Sequence, residues 1–105
     1  MRRNKYGAIR TKVDGITFHS KKEAARYLEL KMLQKAKKIE FLKLQPKFPI
    51  DFNGVKICTY IADFSYRDRG AGAIIYEDVK GKKTAIYNLK KKLVKARYGI
   101  DIKET

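Results

Sequence analysis

The stretch Tyr76-Glu77-Asp78-Val79-Lys80-Gly81 places two acids and a lysine directly after the apolar pair Ile74-Ile75. Read as a strand, it sends alternate side chains to opposite faces. Ile74, Tyr76, Asp78 and Lys80 then share one face, and Ile75, Glu77 and Val79 share the other. Charge at the end of an apolar strand has two explanations. An exposed edge would carry it into solvent, where an Asp78–Lys80 ion pair contributes little to stability. Alternatively, the carboxylates line a cation site at one end of a sheet. On this register Glu77 is a solvent-facing or structural residue, and a slip of one residue would exchange the roles of Glu77 and Asp78.

The run Val55 to Tyr66 reads as one strand and supplies the next acid, Asp63, between Ala62 and Phe64. An unpaired carboxylate in so apolar a run is costly. A loop at Asp68 to Gly72 leads into the strand Ala73 to Val79, so antiparallel pairing would bring Asp63 and Asp78 together at one end of the sheet. Converging carboxylates repel unless a cation lies between them. All-oxygen ligands suit Mg²⁺ or Mn²⁺, which keep several waters and accept phosphate oxygens. Such an ion lowers the pKa of bound water and neutralises the charge that develops when a phosphodiester is hydrolysed. Lys80, two residues beyond Asp78, can reach the phosphate or the attacking water.

Working outward, Met1 to Tyr6 reads as a flexible basic arm, and Asp14-Gly15 between β-prone residues reads as a tight hairpin turn. Ser20-Lys21-Lys22-Glu23 is a capping box opening a helix to Ala36 or Lys37. That helix carries apolar residues on more than one stripe and is expected to be well buried. Glu23 falls on the face of Tyr27 and Leu30, so it can point inward as well as close the capping box. Phe41 to Phe52, with Pro46 and Pro49, suits an edge or bent strand, and Asn53-Gly54 a turn. Thr84 can cap a helix to Tyr98, with Ile86, Leu89, Leu93 and Ala96 expected to face the core and Gly99 as its stop. Residues Gly99 to Ile102 are expected to form a short last strand. The expected fold is a single α/β (α+β) domain.

The chain has 105 residues, 44% of them hydrophobic, which fits one modest core and excludes a disordered tail. No apolar run is long enough for a membrane span, and no signal-peptide pattern is present, so a membrane partner is not expected. The single cysteine, Cys58, excludes an internal disulfide and a multi-cysteine zinc site, and a reducing, cytoplasmic setting is expected. Lys and Arg number 26 against 11 Asp and Glu, a formal net charge of +15. So one-sided a balance points to a polyanionic partner, with nucleic acid favoured over a membrane surface.

The order Glu23, Asp63 and then Asp78-Val79-Lys80 resembles the PD-(D/E)XK nuclease superfamily. More closely, the chain is similar to a small phage-encoded, Holliday-junction-resolvase-like endonuclease family within it. The stretches VDGITFHSKKEAARYLEL, LKLQPKF, YIADFSY, YEDVKG and YNLKKKL carry the likeness, which covers nearly everything from Tyr6 to Ile102. One departure is Ala62, which stands where the superfamily name has a proline. The resemblance implies a restriction-endonuclease-like core, a central mixed sheet of about four strands with two flanking helices and an N-terminal hairpin. It implies a catalytic set of Glu23, Asp63, Asp78 and Lys80, with Mg²⁺ or Mn²⁺ held by Asp63, Asp78 and the Val79 carbonyl. Gln45 falls near that site without an assigned role. DNA contacts are expected from Lys82, Lys83, Lys90, Lys91 and Lys95 and, in the arm, Arg2 and Arg3.

The function expected on this footing is metal-dependent cleavage of DNA in phage recombination or repair, with branched DNA as one candidate substrate. A homodimer would suit paired incisions. The rival is a basic nucleic-acid-binding module without catalysis, a degenerate nuclease or RNA-binding accessory protein; a basic structural or ribosome-associated protein is a second. Both account for the charge, but neither requires Asp63 and Asp78 to converge. His19, beside a helix start, reads as structural, and the tyrosines as core or rim.

Overall fold

The computed structural model describes residues 10–79 and 83–105. Asp14 and Gly15 take positive φ, 53° and 75°, and close a hairpin between β1 (Thr11–Val13) and β2 (Ile16–Phe18). Asp-Gly tolerates these angles, which match the twist of the flanking strands. Ser20 then starts α1 (Lys21–Lys35) by accepting the Glu23 amide at 3.1 Å. The inward stripe of α1 is Glu23, Ala24, Tyr27 and Leu30. Leu28, Met32 and Leu33 remain at the surface, so α1 is covered on one face only and is not the well-buried helix that its apolar composition leads one to expect.

The next four strands form one long hairpin, broken at its waist. Its arms are β3 (Ile39–Leu44) with β4 (Lys47–Phe52), and β5 (Val55–Ile61) with β6 (Phe64–Asp68). Asn53-Gly54 makes the tip, β4 pairs β5 there, and β3 pairs β6 at the base. The runs Phe41–Phe52 and Val55–Tyr66, each expected as one strand, are therefore two strands each. Proline has no N–H for a ladder, and the ladder stops at Gln45-Pro46 and, opposite, at Ala62-Asp63. Two bonds bridge the waist: the Gln45 amide donates to the Asp63 carbonyl at 2.9 Å and the Ala62 amide to the Pro46 carbonyl at 3.1 Å. A proline in place of Ala62 would lose the second.

Above the waist β4 and β5 stand as a separate ribbon; below it β3 and β6 enter a four-stranded sheet, β3-β6-β7-β8. In that sheet β7 (Ala73–Asp78) runs antiparallel to β6, and β8 (Lys103–Glu104) parallel to β7. The sheet is mixed, with two helices and an N-terminal hairpin, as expected. The last strand falls just beyond the expected Gly99–Ile102. Thr84 caps α2 (Ala85–Tyr98), accepting the Tyr87 amide at 3.1 Å, and Gly99 ends it at φ 70°.

Side chains pack on both faces of the sheet. On one, α1 and β1–β2 cover Ile39, Phe64 and Tyr66, with Ile75 and Val79 at the margin. On the other, α2 and the ribbon bury Phe48, Ile50, Tyr60, Ala62, Tyr87, Val94 and Ile102. The buried stripe of α2 is Tyr87 and Val94, joined by half-buried Leu93. Ile86, Leu89 and Ala96, expected inside, are exposed. The aromatic ring of Tyr87 has the greater apolar area to bury, and it turns the helix by about one residue from the aliphatic stripe.

Candidate active site

Asp63 sits at the waist, where the chain passes from the ribbon to the sheet. Its amide donates to the Glu77 carbonyl at 3.1 Å, which extends the β6–β7 pairing by one step beyond Phe64↔Glu77. That step brings the Asp63 carboxyl to the end of β7, where Oδ2 accepts the Val79 amide at 2.7 Å. The carboxyls of Asp63 and Asp78 are within hydrogen-bonding reach, and Glu23 is near enough for its charge to act on Asp63. Burial pushes the Asp63 carboxyl up to about 8, helped by the hydrogen bond to Asp78, the Asp78 charge and the Glu23 charge. The Val79 amide opposes the rise. At neutral pH the Asp63 carboxyl therefore favours its protonated form.

Each member is oriented from behind. The Val79 amide holds Asp63, and the buried Tyr60 hydroxyl donates to Asp78 Oδ2. Burial and the Asp78 carboxylate keep the Tyr60 hydroxyl protonated far above the usual phenol range. Tyr60 was legible only as a core or rim aromatic, because nothing in the local pattern shows which buried phenol meets an acid. Glu23 is 7% exposed and Asp78 1%. Glu23, Asp63 and Gln45 line a cavity of about 160 Å³ together with Ile16, Thr17, Phe18 and Leu44.

Glu77 does not share this site. Its carboxyl lies wholly buried on the opposite face, taking Arg26 Nε at 2.6 Å and Nη2 at 3.0 Å, the Tyr66 hydroxyl at 2.6 Å and the Thr105 hydroxyl at 3.1 Å. Burial pushes it upward, yet these four donors together hold it below the ordinary carboxylate range. Of the two readings of Glu77, the structural one holds and the solvent one does not. The register Ile75-Glu77-Val79 against Tyr76-Asp78 is the one the alternation gives.

Expected site residues divide accordingly. Asp63 and Asp78 come within hydrogen-bonding reach, and Glu23 lies near Asp63 on the same cavity. Val79 contributes its N–H, to Asp63. Lys80 and Lys82, with Arg2 and Arg3 of the arm, lie outside the described residues. Among the lysines expected to meet DNA, Lys83 and Lys91 flank Glu104 at 3.1 and 3.3 Å, Lys95 pairs with Asp101 at 2.9 Å, and Lys90 reaches the Thr59 carbonyl at 3.5 Å. The Tyr87 hydroxyl, Lys83 and Lys91 hold the Glu104 carboxyl low, at about 2. Lys91, Lys92 and Lys95 line an open cleft of about 410 Å³ with Asn88, Ile100, Asp101 and Ile102. His19 is exposed and Cys58 is a free, half-buried thiol.

Among the described residues no group of three or more His, Cys, Asp or Glu side chains is placed to hold a metal ion. A cation at the Asp63–Asp78 pair would take two carboxylate ligands and complete its shell with water, the pattern of Mg²⁺ and Mn²⁺ and not of structural Zn²⁺. No helix among the described residues is long and apolar enough to cross a membrane.

Residues 3–105 match the family described as Protein of unknown function (DUF1064), and the chain belongs to that family. No curated protein and no solved structure matches it.

Proposed function

We propose that the chain is a divalent-metal-dependent DNA endonuclease working in the cytoplasm. The observation that carries this reading is the meeting of Asp63 and Asp78 beside Glu23, on a chain of net charge +15. Buried carboxylates that touch are unfavourable for folding and oppose binding of a polyanion. A cation removes both penalties and turns the pair into a phosphate receptor.

In this reading Asp63 and Asp78 would hold Mg²⁺ or Mn²⁺, with the Val79 amide and Tyr60 hydroxyl keeping the two carboxylates in place. The ion supplies Lewis acidity to the phosphate and a more acidic bound water. Glu23, which lines the same cavity as Asp63, would accept a proton from or position the attacking water, and Lys80 would assist. Lys83, Lys90, Lys91, Lys92 and Lys95, with the basic arm, grip the backbone, so affinity falls steeply with salt. The sequence likeness to the resolvase-like phage endonucleases favours branched DNA, cut by a homodimer.

The test is incubation with supercoiled plasmid and with a synthetic four-way junction, in Mg²⁺, in Mn²⁺ and in chelator, with Asp78→Asn alongside. Metal-dependent cutting that this variant loses is expected, with the junction cut faster than linear duplex. Equal rates on the two substrates would remove the branched-DNA assignment. Tight, salt-sensitive binding without cutting in either metal would replace the enzyme with a non-catalytic binding module.

A further inference from the structure

Gln45 is the strained residue at the waist of the long hairpin. Its φ is +53°, in the left-handed region, and it immediately precedes Pro46. Residues before proline are pushed toward extended backbone, and glycine or asparagine would adopt a positive φ more readily than glutamine. The strain is of the order of 1 kcal/mol or more, and such strain clusters where a side chain must be delivered to a site. The backbone here is tied down, because the Gln45 amide donates to the Asp63 carbonyl at 2.9 Å. The residue that carries one candidate metal ligand therefore also fixes the position of Gln45. Gln45 lines the same 160 Å³ cavity as Glu23 and Asp63. Its neighbours there are the Glu23 and Asp63 carboxylates, which accept hydrogen bonds, the Thr17 hydroxyl and apolar side chains. The carboxamide supplies a neutral donor.

Resting on the nuclease reading of this site, we infer that Gln45 is a further catalytic residue: its side-chain NH₂ donates to a non-bridging oxygen of the scissile phosphodiester in the cavity. A neutral donor suits this place because it stabilises charge developing on phosphorus oxygens without forming an ion pair with Glu23 or Asp63 in the free protein. Lysine would be drawn to those carboxylates instead. The backbone strain is the cost of turning a side chain toward the cavity at a position where the chain must also change direction before Pro46.

A structural role and a catalytic role for Gln45 give opposite signs in one experiment. Gln45→Gly removes the side chain and relieves the positive φ. Gln45→Glu keeps the shape and replaces the donor with a third acid. Steady-state cleavage of plasmid in Mg²⁺, urea unfolding and Mn²⁺ binding are measured on both variants and on wild type. The expected result for Gln45→Gly is an unfolding midpoint equal to or above wild type, unchanged Mn²⁺ affinity, KM within twofold and kcat lower by about a hundredfold, the range for loss of one transition-state donor. Gln45→Glu is expected to lose kcat further. A Gln45→Gly protein that cuts at the wild-type rate, or one that is less stable than wild type, overturns the inference. Wild type that binds Mn²⁺ and cuts DNA in either case keeps the site reading intact. Wild type that does neither overturns both.

Discussion

Replacing Asp63 with asparagine is expected to stabilise the metal-free protein at neutral pH while abolishing its function. In the unfolded chain this carboxyl ionises near 3.8; in the folded protein, burial and the Asp78 contact raise it to about 8. Between those values the folded state holds a proton that the unfolded state has released. Stability of the metal-free protein therefore falls as pH rises through that window, by at most about 1.4 kcal/mol per unit. At pH 7 the window crossed is 3.2 units from the unfolded value of 3.8, an upper bound of about 4 kcal/mol. Asp63 is only partly buried and the two carboxyls can move apart, so a gain of about 1–3 kcal/mol is the realistic figure. Asparagine keeps an oxygen for the Val79 amide and brings an NH₂ that can donate to Asp78 without taking up a proton. The assay is urea unfolding of wild type and Asp63→Asn in EDTA at pH 4.5 and pH 7.5. A gain at pH 7.5 that shrinks toward zero at pH 4.5 is expected. A loss of more than about 1 kcal/mol at pH 7.5, or a change of equal size at both pH values, would refute the argument that repulsion is stored at this pair.

Three further outcomes follow from the same geometry. Tyr60→Phe keeps the ring in its core and removes the donor to the buried Asp78; Mn²⁺ affinity measured by calorimetry should fall about tenfold or more, with a loss of about 1–3 kcal/mol in urea unfolding. Arg26→Ala leaves the wholly buried Glu77 without its principal partner, and urea unfolding should register a loss of about 3–5 kcal/mol, whereas the paired change Arg26→Met with Glu77→Leu should recover most of it. Saturating Mg²⁺ at about a hundred times its dissociation constant should raise wild-type stability by about 2.7 kcal/mol in thermal or urea unfolding and leave Asp63→Asn unmoved.

The acidic site was legible because strand alternation is rigid. Once Ala73–Asp78 is a strand, Asp78 and Glu77 must part to opposite faces, and the Asp68–Gly72 turn aligns Asp63 with the end of that strand. Asp14-Gly15, Ser20, Thr84 and Gly99 were legible for a similar reason, since each satisfies a local backbone demand that few residues meet. What escaped depends on distant partners. The breaks at Gln45-Pro46 and Ala62-Asp63 exist because two strands change sheets at the same level, which no single run encodes. The buried stripe of α2 is set by Tyr87 meeting Tyr60 and Glu104, not by the spacing of Ile86 and Leu89. Glu77 gave no local sign of its depth, because its compensating donors come from Arg26, Tyr66 and Thr105, far apart in the chain.

Whether Asp63 and Asp78 form a cation site is decided by titration of Mn²⁺ followed by electron paramagnetic resonance. One Mn²⁺ is expected to bind per chain, displaced by Mg²⁺, weakened by low pH as the Asp63 proton competes, and lost in both Asp63→Asn and Asp78→Asn. Binding that persists unchanged in those variants, or no binding by wild type at neutral pH, would contradict it.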